Sequence, residues 1–201
     1  MCSKPSKILT FVTLLLLTSC ATFKPSNVNN LCSVLADEDW YEAAIDSQDK
    51  WGTPIHVQLA IMHQESKFQH DAQPPRKWYL GFIPGPRPSN AYGYAQALES
   101  TWDTYIRATG NSGADRDDFD DAIDFIGWYT ATSHRKLGIS KWDARAQYLA
   151  YHEGWGGYKR KTYNNKAWLL KVADKVKARS LSFSNQYKQC RRELESNRGW
   201  F

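Results

Sequence analysis

Neither a Cys-x-x-Cys nor a His-Glu-x-x-His pattern occurs in the 201 residues. The common zinc-site spacings are therefore missing, and no metal or other cofactor is expected. Strong charge of one sign is missing too: 26 Lys and Arg stand against 21 Asp and Glu. That balance is too mild to argue for nucleic acid, and no such partner is expected. No internal repeat is visible, which sets aside solenoids and propellers. Long apolar runs are absent except for Ile8 to Leu17, which is too short for a comfortable membrane-spanning helix. What remains has globular composition: 42% hydrophobic and 23% charged residues exclude disorder over most of the chain. The length allows one domain with a sizeable core or two small ones. Nine Trp is a high count. Such rings stack on sugars, although most aromatics serve as core.

Lys4 and Lys7 followed by the apolar run read as an export signal. The run ends in Leu17-Thr18-Ser19-Cys20, which resembles the lipobox of bacterial lipoproteins. That resemblance implies a signal peptide over 1–19, a lipidated tether over 20–30 with the acyl chains on Cys20, and a folded domain over 31–201. The alternative is a plain secretory signal with Cys20 incidental. Ala21, where an aspartate often marks inner-membrane retention, favours the periplasmic face of the outer membrane. Loss of the two lysines lowers the formal charge of +5 by two. Cys2 leaves with the signal and Cys20 carries lipid. Cys32 and Cys190 remain, near the two ends of the mature chain, and an oxidising periplasm makes them an expected disulfide, with two free thiols as the alternative.

The pattern is mainly helical. Helices are expected near 35–50, over 54–66 with Thr53-Pro54 as cap and first turn, near 98–109, from about 123 to Gly138, over 142–151 behind Ser140 and Asp143, and in a long C-terminal stretch after Asn165. The last carries an apolar stripe at Leu169, Val172, Val176, Phe183, Tyr187, Cys190 and Leu194, which fits the helical period. Five prolines between 71 and 90 exclude a regular helix there, leaving short strands at most. The acidic run 115–121 reads as a solvated helix entry. His56, His63, His70 and His134 show no ligand pattern.

In the 54–66 helix, Ile55, Leu59 and Met62 share a face, and Glu65 stands beside it, three after Met62 and four after Ile61. A carboxylate there is partly desolvated and lies near the negative end of the helix dipole. Both effects raise its pKa, as general-acid chemistry on a glycosidic bond requires. Taken alone, the helix better fits a Glu at an exposed rim beside Lys67.

Three stretches in order extend the argument. The run "AIMHQESKF", residues 60–68, resembles the catalytic helix of soluble lytic transglycosylases. The run "AYGYAQ", residues 91–96, is similar to that family's Gly-Leu-Met-Gln motif, with Thr101-Trp102 following. The run "LAYHEGWGGY", residues 149–158, is similar to its Ala-Tyr-Asn-x-Gly motif, with His152 in place of asparagine. The resemblance covers roughly residues 40–165. It implies a lysozyme-like helical domain, with the Pro-rich insertion and the long C-terminal helix added, that acts on peptidoglycan glycan strands. One glutamate then performs both proton transfers, and the sugar's own 6-hydroxyl closes a 1,6-anhydro ring. By position, Glu65 is the acid and then the base. Ser66, Tyr94, Gln96 and Tyr151 are substrate-binding candidates, Trp102 is a wall candidate or core, and Tyr151 would bond Glu65 or stabilise charge near it. Glu153 is either solvent-facing or a second carboxylate that would permit hydrolysis. The insertion, with Arg76, Trp78, Tyr79, Phe82 and Arg87, is either a groove cap whose arginines meet stem-peptide carboxylates or a loop without a role. The competing functions are a lysozyme-type muramidase and a non-catalytic wall-binding lipoprotein. Oligomeric state is not legible.

Overall fold

The computed structural model describes residues 23–197. The stretch expected to be a signal peptide, Cys20 and the last four residues lie outside them. Seven α-helices follow in order: α1 Leu31–Val34, α2 Glu38–Trp51, α3 Ile55–Ser66, α4 Glu99–Thr109, α5 Phe119–Leu137, α6 Ala144–Lys159 and α7 Ala167–Asn197. A two-stranded antiparallel hairpin, β1 Trp78–Tyr79 and β2 Ile83–Pro84, lies in the Pro-rich insertion. The mainly helical class, the insertion with short strands and the long last helix are as expected.

Helix α3 is the centre of the packing, lying against α2, α5, α6 and α7. Ile55, Val57, Leu59, Ala60, Ile61 and Met62 are all buried, so the helix has no broad solvent face on which a charge would sit at low cost. The boundaries follow local chemistry. Asp37, Asp118 and Asp143 accept backbone N–H groups at the starts of α2, α5 and α6. Gly52, Gly110 and Gly138 close α2, α4 and α5. Asp143 therefore caps α6, which begins at Ala144 rather than 142. Thr53 is no cap for α3: its hydroxyl accepts from Thr130 and its carbonyl from Gln58, all within the core.

Part of the expected tether is docked. Phe23 packs edge-on against Trp40 at 5.0 Å. Asn29 bonds Gln186 through its backbone and Arg179 through its side chain. Beside it, Leu31 N–H donates to Gln186, and the Cys32–Cys190 disulfide fixes α1 to α7. The ordered fold thus begins well before residue 31.

Gly93, in the "AYGYAQ" stretch, has φ 76° and lies so close to the 115–118 loop that a Cβ would stand 1.8 Å from the Arg116 carbonyl oxygen. Its own N–H donates to Ala72 O, and the next N–H, of Tyr94, donates to Arg116 O. Gly93→Ala combines a left-handed backbone with a collision against main chain. A loss of about 3 kcal/mol or more is expected in chemical denaturation.

Candidate active site

Glu65 occupies the last turn of α3, where unpaired carbonyls and the helix dipole oppose negative charge. The helix stops because Lys67 and Phe68 take positive φ, 52° and 62°. Phe68 turns inward into the core, and Lys67 stays exposed. Burial pushes the Glu65 carboxyl up to about 7, opposed in part by a hydrogen bond with the Tyr148 hydroxyl. It opens onto a cleft of about 370 Å³ that it lines together with Gln96, Phe125, Tyr129, Tyr151 and Glu153. That is the size of a small-ligand site. At neutral pH such a carboxyl is about half protonated, so it can both give a proton and take one back.

Helix α6 brings the phenols. Tyr148 and Tyr151, three residues apart on one face, lie near Glu65, and burial holds both hydroxyls neutral far above their ordinary range. The bond to Glu65 comes from Tyr148. Tyr151 instead donates to the Ala95 carbonyl at 2.6 Å, which fastens α6 to the 91–96 loop. Sequence comparison singled out Tyr151 and missed Tyr148, although the i, i+3 spacing was available as a signal. Tyr129, on α5, packs against Tyr151 at 4.9 Å and stacks on Trp155 at 4.8 Å, so the wall is a fixed aromatic ladder. Gly154 ends this wall in a conformation reserved for glycine, φ 71° and ψ 162°.

Gln96 lines the cleft as expected, but its freedom is narrow. Nε2 donates to Ala72 O at 2.7 Å and Gly93 O at 2.9 Å. Both amide protons are used, so only its oxygen can meet a ligand, as an acceptor from an N–H or O–H group.

Two expectations are corrected, for Ser66 and Tyr94, and two open alternatives are decided, for Trp102 and the insertion. Ser66 is buried, donates to Met62 O and accepts from Phe68 N–H, so it shapes the helix end and does not reach a ligand. Tyr94 is 3% exposed and packs edge-on against Trp40 and Phe119, because the turn at Gly93 directs it into the core. Trp102 is core as well, donating to Ala114 O beside Tyr105 and Phe125. In the insertion, Arg76 and Arg87 donate to the carbonyls of Gly85 and Pro74. They staple their own loop, and no insertion residue lines the cleft.

Glu153 is neither solvent-facing nor free. Its side chain is 3% exposed. Burial alone would raise its pKa, but bonds from Lys166 at 2.7 Å, from Thr162 and from His152 at 3.1 Å outweigh burial and hold it at about 2. Both oxygens are committed to donors, so Glu153 is a fixed anion that anchors the 162–165 turn and the approach to α7. Two carboxyls in one cleft are thus pushed in opposite directions, the arrangement that separates acid from anion. His63, on the far side of α3, is kept neutral at about 4, by burial first and then by Arg179 and Lys67. Among the described residues, no group of three or more His, Cys, Asp or Glu side chains is placed to hold a metal ion.

Tyr148→Phe removes the bond that favours the Glu65 carboxylate. For any reaction in which Glu65 acts as the acid, the alkaline limb of the pH–rate profile should move up by about one pH unit, as for a net hydrogen bond of about 1.4 kcal/mol.

A family model described as a transglycosylase SLT domain matches residues 8–190 of this chain. Among curated proteins and solved structures, none matches.

Proposed function

Because the chain belongs to the transglycosylase SLT domain family, we propose that it is a peptidoglycan lytic transglycosylase. It cleaves the β-1,4 bond between N-acetylmuramic acid and N-acetylglucosamine and leaves a 1,6-anhydromuramic end. The observation that carries this reading is Glu65, a carboxyl raised to about 7 in a cleft whose other carboxyl is fully engaged. Glu65 protonates the glycosidic oxygen as the bond to the muramic C1 breaks, and the electron pair leaves with that oxygen. The carboxylate then takes the proton of the sugar's 6-hydroxyl while O6 bonds to C1. No water is consumed, and Glu65 ends protonated as it began. One carboxyl suffices because the nucleophile is tethered to the electrophile at high effective concentration. An ordinary hydrolase would need a second carboxylate as base or nucleophile, and Glu153 would have to shed its donors to serve. The oxygen of Gln96 suits an acetamido N–H or a sugar hydroxyl, and the Tyr129–Tyr151 wall suits a pyranose face.

The chain is also proposed to be lipid-anchored through Cys20 at the periplasmic face of the outer membrane. Only three residue steps separate Cys20 from the docked Phe23. The domain would then sit within about 11 Å of the anchor, the reach of three extended residues.

Mass analysis of fragments released from purified sacculi tests the reaction. Anhydro ends, lighter by one water than reducing ends, are expected. Reducing ends would make the protein a muramidase, and no release at all would leave a wall-binding protein.

A further inference from the structure

Five of the nine large hydrophobic side chains exposed among the described residues lie between 78 and 83: Trp78, Tyr79, Leu80, Phe82 and Ile83. The rest of the set, Leu98, Trp142, Trp168 and Leu181, are scattered singly along the chain. At the hairpin turn Leu80 is 81% exposed and Phe82 71%. Leu80 also adopts φ 53°, an unfavourable backbone for a bulky residue, and its side chain gains no burial in return. The core, complete within 31–194, makes no use of these groups.

The chemistry of the hairpin selects the partner. Its backbone is internally paired: Phe82 N–H donates to Tyr79 O, Gly85 N–H donates to Lys77 O at 2.7 Å, and the strands bond each other. These bonds along the flanks leave fewer main-chain groups to desolvate on approach to a low-polarity medium than an unpaired loop would present. Arg76, Lys77 and Arg87 flank it, and no Asp or Glu occurs between 72 and 98. Trp and Tyr beside Leu and Phe, with cations at the base, is the composition of an element lying at a lipid–water boundary. A sugar surface would call for hydrogen-bonding side chains, and between 78 and 84 only the Trp78 and Tyr79 tips supply any.

Position agrees. Phe23 packs on Trp40, Trp40 packs on Tyr94 at 5.5 Å, and the adjacent Gly93 bonds Ala72 at the insertion's base. Two ring contacts thus connect the point where the anchor would enter the fold to the root of the hairpin. No helix among the described residues is long and apolar enough to cross a membrane.

We infer that the 78–83 hairpin is a second membrane contact, which dips Leu80 and Phe82 into an anionic bilayer while Lys77, with the guanidinium N–H groups of Arg76 and Arg87 that the loop carbonyls leave over, meets the headgroup phosphates. The positional argument rests on the anchored reading above; the test does not. Residues 21–201, which retain the whole described fold and lack Cys20, are sedimented with vesicles of phosphatidylethanolamine and phosphatidylglycerol. The double variant Leu80→Ser, Phe82→Ser is expected to bind roughly tenfold more weakly or worse, from the lost apolar burial. Vesicles without the anionic lipid should also bind the parent protein more weakly. Equal binding by parent and variant, equal binding to both vesicle types, or no sedimentation of the parent overturns the inference. So does a variant that loses binding to sacculi while keeping it to vesicles, which would assign the hairpin to glycan. Glycan cleavage is not the readout, so failure of the catalytic reading leaves the result interpretable.

Discussion

Glu65→Gln should abolish release of fragments from sacculi, lowering the rate by about 10³-fold or more, since the proton donor is lost while shape is kept. The same substitution should stabilise the fold, with a distinctive dependence on pH. In the parent protein the folded pKa of Glu65 is raised from 4.5 to about 7. The folded state therefore holds this proton more tightly than the unfolded chain. Its contribution is most favourable below pH 4.5 and is lost as pH rises through 7. The shift corresponds to about 3 kcal/mol. The glutamine variant cannot titrate and escapes that loss. Guanidinium unfolding should find the two proteins similar at pH 4 and the variant more stable by up to about 3 kcal/mol at pH 8. Glu153 titrates in both and cancels from the difference. A variant that is inactive and less stable at pH 8 would point to damaged packing rather than to a missing acid.

Loss of the Cys32–Cys190 bond should produce the largest stability change of any covalent edit. The bridge spans 158 residues of sequence, and the chain-entropy argument assigns such a loop about 5 kcal/mol. It ties α1 to the far part of α7, where Leu31, Val34, Phe183 and Leu194 are buried in the core. Cys32→Ala with Cys190→Ala should lower the denaturation free energy by about 2–5 kcal/mol, read from the urea midpoint with and without reductant. Reductant should affect the parent and leave the double variant unchanged. Glu65 sits on α3, held between α5, α6 and α7. Residual activity below the new melting temperature is therefore expected.

These residues also show how far a sequence can be read. The period of Ile55, Leu59 and Met62 placed Glu65 beside packed surface, and the three ordered stretches brought Gln96 and Tyr151 to its cleft. Helical phase is a rigid relation, so such positions are legible. Loop direction is not. Tyr94 and Gln96 stand two apart in one motif, yet the first enters the core and the second the cleft, because Gly93 and Gln96 both take positive φ. Nothing in the residue types announces that. Ser66 adjoins the acid in sequence but spends its hydroxyl on the helix end. Glu153 could be seen as a second carboxylate, whereas its three donors come from side chains up to thirteen residues away that only the folded turn assembles. Tyr148 is within reach of periodicity, three residues before Tyr151, but it lies just outside the 149–158 stretch that carries the resemblance.

The account turns on a carboxylic acid that keeps its proton near neutrality. The most direct measurement is the titration of the Glu65 side-chain carboxyl by carbon NMR, its resonance identified as the one absent from Glu65→Gln. A midpoint near pH 7 is predicted. A midpoint at or below 4.5, the value for an ordinary glutamate, would mean that the group is an anion at working pH and would contradict its role as the acid.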